Sequence, residues 1–142
     1  MALLTPREKW LAVYNADLQA NGKPAIVPDD FDMSTPTVYS CPRSTKNTVM
    51  YLQPKASAPI IGLGIAYYNR IALSTLTTLS VAKGAATTLT ELLPALNIVL
   101  GLNFAATDFS AVSLPAAPGS FTLTATATNI MFTGAATVAL EA

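Results

Sequence analysis

Phe121-Thr122-Leu123-Thr124-Ala125-Thr126-Ala127-Thr128 alternates without a break between apolar and hydroxyl-bearing residues, the two-residue period of a half-buried strand. Phe121, Leu123, Ala125 and Ala127 fall on one side, and Thr122, Thr124, Thr126 and Thr128 on the other. Ile130 to Phe132 follow, then Thr133-Gly134 as a turn, then Thr137-Val138-Ala139-Leu140 as a second strand. The pattern predicts a C-terminal β-hairpin with one side toward a core. Its other side is a threonine ladder, polar but almost uncharged.

Working outward, residues 88–101 carry Leu89, Leu92, Leu93, Leu96, Val99 and Leu100 at helical spacing, a wide apolar face suited to lying on a sheet. Thr88 and Glu91 form a capping-box pair at its start, and Gly101 stops it. Pro94 sits inside the pattern, so the helix is expected to kink or restart there. A short helical turn is expected around Ala105 to Asp108, and Pro115 to Gly119 form a loop that delivers the chain to the hairpin.

A first helix is expected over residues 6–20. Thr5 and Glu8 supply a second capping box, Pro6 takes the first helical position, and Asn21-Gly22 ends it. Trp10, Val13, Tyr14 and Leu18, with Leu11 beside them, read as its core-facing stripe. Residues 23–36 form a proline-rich connection with Asp29, Asp30 and Asp32; lacking the glycine and later glutamate of a calcium loop, they read as a solvated turn or a cap. Strands are expected at 37–40, 48–52 and 62–71, while 72–83 has no clear preference. Gly62-Leu63-Gly64 lacks the third glycine and following helix of a dinucleotide fingerprint and reads as a bulge or close backbone approach.

Together these elements predict an α+β fold: an antiparallel sheet or sandwich of about five to seven strands, two packed helices and the closing hairpin. The length of 142 residues suits one domain, with a helical segment 1–22, a connection 23–36 and a β-rich body 37–142. The apolar face of the hairpin is expected to share a core with both helices.

Composition narrows the function. Charged residues are 11% of the chain, against roughly a quarter in ordinary soluble domains, and the net charge is zero. Eleven of the sixteen charged side chains precede residue 56. Nothing steers such a chain toward nucleic acid or an anionic membrane, and no stretch offers the roughly twenty apolar residues of a membrane span. The opening residues place charges after Leu3 and Leu4 and lack the plan of a signal peptide, so secretion by that route is not expected. Weak charge favours association instead.

Catalytic chemistry finds little material. The chain has no histidine, which removes imidazole bases, Ser-His and Cys-His nucleophiles and histidine metal sites. Cys41 is the single cysteine, which rules out an intrachain disulfide and reads as a quiet, partly buried thiol. Glu8, Glu91, Asp108 and the 29–32 cluster are acids that could still meet as a carboxylate pair, and the two glutamates already have capping roles. The expectation is a protein that is not an enzyme and uses no cofactor or metal. Arg70, between Tyr68 and Ile71 in a nearly neutral region, is expected to pair with Asp17 or Asp108.

Tyr14-Asn15-Ala16-Asp17, Ser34-Thr35-Pro36-Thr37-Val38, Asn47-Thr48-Val49, Tyr67-Tyr68-Asn69-Arg70-Ile71, Leu92-Leu93-Pro94-Ala95-Leu96-Asn97 and Leu100-Gly101-Leu102-Asn103 occur in that order. This series resembles a small domain of virion structural and tail proteins of tailed bacteriophages. The long connection 23–36 and the Cys41-Pro42 turn depart from it. The resemblance implies a non-enzymatic building block assembled in the host cytoplasm, in the tail, baseplate, neck or head decoration. Its partners would be other virion proteins and copies of itself in a symmetric assembly, with no nucleic acid and no membrane. Thr122, Thr124, Thr126 and Thr128 are then the expected assembly face. The competing expectation is a host-surface or carbohydrate-binding fibre module with Tyr51, Tyr67, Tyr68 and Asn69 as its platform; against it, one of the adjacent tyrosines should face the core.

Overall fold

The computed structural model describes residues 2–58, 64–76 and 79–142. Among these residues the fold is α+β, with two α-helices and nine strands, more strands than the five to seven expected. The chain divides into two compact units, Leu4–Asn69 and Arg70–Ala142, the latter together with Met1–Leu3. The division falls within the stretch 62–71 that reads as one strand. Gly62 and Leu63, and with them the expected bulge, lie outside the described residues.

In the first unit, helix α1 (Pro6–Ala20) begins as its cap dictates: the Thr5 hydroxyl accepts from the Glu8 N–H at 3.1 Å and the Glu8 carboxylate accepts from the Thr5 N–H at 2.9 Å. The helix buries Pro6 and Leu11 and half-buries Arg7, Trp10, Tyr14, Asn15 and Leu18. Val13, placed on the apolar stripe by sequence, is instead 65% exposed. The stripe turns because two of its members are polar. Asn15 donates to the Ile26 carbonyl at 2.7 Å and accepts from the Ile26 N–H at 2.9 Å. Arg7 Nη2 donates to the carbonyls of Pro28 and Phe31, both at 2.7 Å, with its guanidinium 5.0 Å from the Phe31 ring centre. The proline-rich connection is thereby fastened to the helix.

Strands β1 (Phe31–Met33), β2 (Thr37–Val38), β3 (Thr48–Pro54) and β4 (Gly64–Tyr68) form one antiparallel sheet. β1 and β2 pair with opposite ends of β3 along one edge, and β4 pairs with the other edge. β3 alternates as a half-buried strand should: Thr48, Met50 and Leu52 are buried, while Tyr51 and Gln53 are exposed. Met50 and Leu52 join Leu11, Ile26 and Phe31 among the buried apolar residues of this unit.

The second unit holds β5 (Ile71–Ala72), β6 (Leu79–Ala82), α2 (Leu89–Leu100), β7 (Gly119–Thr124), β8 (Phe132–Thr133) and β9 (Ala135–Glu141). β9 is central, antiparallel to β7 and parallel to β6, while β5 and β8 form a separate parallel pair. The two parallel pairings stand beside the expected antiparallel ones, so the sheets are antiparallel and mixed. Leu89, Leu92, Leu93 and Leu96 of α2 pack into one core with Val81, Phe121, Leu123, Val138 and Leu140 of the sheet. Among the described residues the buried members of that core all belong to the second unit.

Two details of α2 differ from the sequence reading. The helix is continuous through Pro94 and does not restart there; Pro94 and Thr90 are both exposed, and water can serve the carbonyl that the proline leaves without a donor. Val99 is 45% exposed, and the buried position near the helix end belongs to Asn97. Its amide donates to the Phe104 carbonyl and accepts from the Phe104 N–H, both at 3.1 Å, and so ties down the chain after Gly101.

The closing hairpin is also revised. Phe121 and Leu123 face the core as expected, but β7 ends at Thr124, and the chain between β7 and β9 detours through β8 rather than turning tightly. Asn129, fully buried, controls the detour. Its Oδ1 accepts from the N–H groups of Met131 and Phe132 at 3.0 and 2.9 Å, and its Nδ2 donates to the Asp108 carbonyl at 3.0 Å. Arg70, 8% exposed, donates from Nη1 to the Asn129 carbonyl at 3.3 Å. The Asp108 carboxylate accepts from the Ala105 N–H at 2.9 Å.

Asn129→Ala strips partners from three backbone groups at once and is expected to destabilise the protein by about 3 kcal/mol, given the cost of buried polar groups without partners. The urea midpoint measures this; a change within error would show that water replaces the amide.

Candidate functional site

Five of the acids considered as catalytic candidates make a local contact. Glu8 closes the cap of α1, and the Asp30 carboxylate accepts from the Val27 N–H at 2.9 Å. Asp32 lies 3.7 Å from the Lys55 ammonium, both largely exposed. Glu91 accepts from the Thr87 N–H at 2.7 Å, from the Thr87 hydroxyl at 2.9 Å and from the Thr88 N–H at 3.3 Å. These bonds, those from Thr87 foremost, hold its carboxyl below the usual glutamate range. Burial pushes the Asp108 carboxyl up, with the Ala105 N–H partly opposing it. Among the described residues no three His, Cys, Asp or Glu side chains gather as a metal site, and no helix is long and apolar enough to cross a membrane.

Cys41 is half-buried. The Arg43 backbone N–H and the Tyr39 hydroxyl hold its thiol below the ordinary value, and the same contact raises Tyr39.

The threonines of the expected assembly face do not form one ladder. Thr122 stands on β7 directly across from Thr137, and Thr124 across from Ala135. Thr126 and Thr128 lie beyond the strand end, their hydroxyls 3.1 Å apart, with the Thr126 hydroxyl donating to the Thr107 carbonyl at 2.8 Å. The four-residue flat face is therefore cut in half, because the chain is drawn aside by the Thr126 N–H bond to the Asp108 carbonyl and by Asn129.

The tyrosines separate as strand alternation requires. On β4, Ile65 and Tyr67 are exposed, whereas Tyr68 is half-buried and meets Trp10 edge-on at 6.5 Å. Trp10 stacks on Tyr14 at 5.1 Å. Asn69 is used at the strand end, its Oδ1 accepting from the Asn47 N–H at 3.0 Å. Tyr68 and Asn69 thus leave the proposed platform. Tyr39, which sequence reasoning missed, enters it, its ring 4.7 Å from that of Tyr67. No local signal marks Tyr39, because its neighbour is set by the pairing of β2 and β4 to opposite edges of β3.

The outcome is an outer sheet face on which Tyr51 is 44% exposed, Ile65 50% and Tyr67 49%. The register joins them: Tyr51 lies across from Ile65, and Val49 across from Tyr67. Beside β4 runs an open groove of about 470 Å³, bordered by Trp10, Val13 and Tyr14 of α1, with Asp17 and Lys46 also in its lining. An apolar face continuous with an apolar groove suits macromolecular contact better than small-molecule chemistry, which wants an enclosed site with converging polar groups.

The model of a family of unknown function (DUF7941) matches residues 3–142, and the chain belongs to that family. No curated protein and no solved structure matches it.

The charge on Glu91 supplies a pH test of its capping role. Because its folded pKa is depressed, the stabilisation it gives is fully present above the ordinary glutamate range and is lost as pH falls through the folded value. Wild type should therefore exceed Glu91→Gln in urea midpoint at neutral pH and converge with it in acid. A difference that persists unchanged through that window would rule out a charged cap.

Proposed function

We propose that this family member is a non-enzymatic structural subunit of a tailed-bacteriophage virion, acting through protein–protein assembly contacts. The exposed strip Tyr51, Ile65 and Tyr67, on a chain with 11% charged residues and zero net charge, is the observation that carries the reading. Apolar side chains lined up across two paired strands gain by being covered, and the scarcity of charge lowers the desolvation cost of covering them. The capping and backbone-holding roles of Glu8, Asp30, Glu91 and Asp108 support a building block rather than an enzyme. The bacteriophage setting comes from the ordered motifs between Tyr14 and Asn103. Within this reading the partners are other virion proteins and further copies of the chain, and the assembly surface moves from the threonine ladder to the tyrosine-bearing sheet.

Quantitative mass spectrometry of gradient-purified particles tests it. The protein is expected in mature particles at a fixed multiple of copies per particle, and antibody labelling should place it at one structural location. Purified particles free of the protein would overturn the reading.

A further inference from the structure

We infer that the outer edge of β4 is a self-association site, at which two copies of this chain pair β4 with β4, antiparallel, about a two-fold axis at Ala66. The inference rests on the assembly reading above and names its partner as a second copy.

Three observations lead there. First, β3 is the only strand paired with β4 among the described residues. In an antiparallel ladder alternate residues direct N–H and C=O to opposite sides, so part of the β4 backbone points away from β3 as a template for another strand. Second, Gly64-Ile65-Ala66-Tyr67-Tyr68 has no charge and no proline, two of the devices that keep sheet edges apart. Two of its five side chains, Ile65 and Tyr67, are about half exposed at 50% and 49%.

Third, the edge is its own complement. An antiparallel pairing centred on Ala66 sets Ile65 of each copy across from Tyr67 of the other, giving two β-branched–aromatic pairs on the exposed face. Glycine then meets Tyr68, and the small Ala66 meets itself on the axis. Opposed residues all differ by an even number of positions, so outward-pointing peptide groups meet outward-pointing groups whichever set that is. The adjoining groove includes one anion, Asp17, and one cation, Lys46, so its lining carries no net charge to repel a second copy. A different protein would have to reproduce this pattern, whereas a second copy already has it.

Sedimentation equilibrium of the full chain, with Ile65→Lys, Tyr67→Glu and the double variant, tests the pairing. Wild type is expected to dimerise. Each single substitution, altering two symmetry-related pairs, should weaken the dimer about tenfold or more. The double variant should restore it, because each introduced lysine then faces an introduced glutamate across the axis. Hydrogen exchange on wild type, which needs no variant to fold, should show β4 amides gaining protection as protein concentration rises. A monomer at millimolar concentration, a dimer indifferent to all three variants, or β4 exchange independent of concentration would overturn the proposal. A particle protein that is monomeric in solution refutes only the pairing, and a β4-paired dimer missing from particles refutes only the virion reading.

Discussion

A peptide N–H or C=O that leaves water must find another partner, and this constraint shapes the chain wherever its strands give out. Three asparagines answer it in the same way. Asn15 holds the N–H and C=O of Ile26, Asn97 holds those of Phe104, and Asn129 holds two N–H groups and one C=O across residues 108–132. A side-chain amide offers a donor and an acceptor in the same plane, as a peptide group does. Each asparagine therefore acts as a one-residue strand partner. In a chain with few charges this is an economical substitute for ion pairs, since a neutral amide is easier to bury than a carboxylate.

The same constraint explains what lies at the surface. Where a ladder is complete, as for β9 between β6 and β7, the peptide groups are satisfied on both sides and the side chains can close a core. Where a strand has one partner among the described residues, as β4 has β3, backbone polar groups and the apolar side chains beside them can be covered together. Directional hydrogen bonds and non-directional apolar burial then favour the same event, the arrival of another extended segment. Exposed threonines lack that combination. Thr126 and Thr128 have turned their hydroxyls to each other and to the Thr107 carbonyl.

Legibility in the sequence followed interaction range. Both capping boxes, the left-handed stop at Gly101, the short turn at Ala106–Asp108 and the inward set of Phe121 and Leu123 are readable because each depends on residues two to four positions apart. The stripe of α1 was half readable: its period is right, but the polar members Arg7 and Asn15 pass for surface residues until the connection they hold is seen. The tyrosines were readable as a divided pair, since neighbours on a strand face opposite ways, yet which of them faced out was not.

The sequence alone determined the helices, their ends, the α+β class and the want of imidazole chemistry, because propensity, capping and composition are local or additive. Tertiary structure decided the parallel pairings of β5 with β8 and of β6 with β9, the detour that breaks the threonine ladder, and the pairing of β4 with β3 alone among the described residues. Pairing and register join segments up to about sixty residues apart in this chain. They follow from which apolar faces can be buried together while every enclosed peptide group is bonded, a condition of the whole fold and of no single stretch.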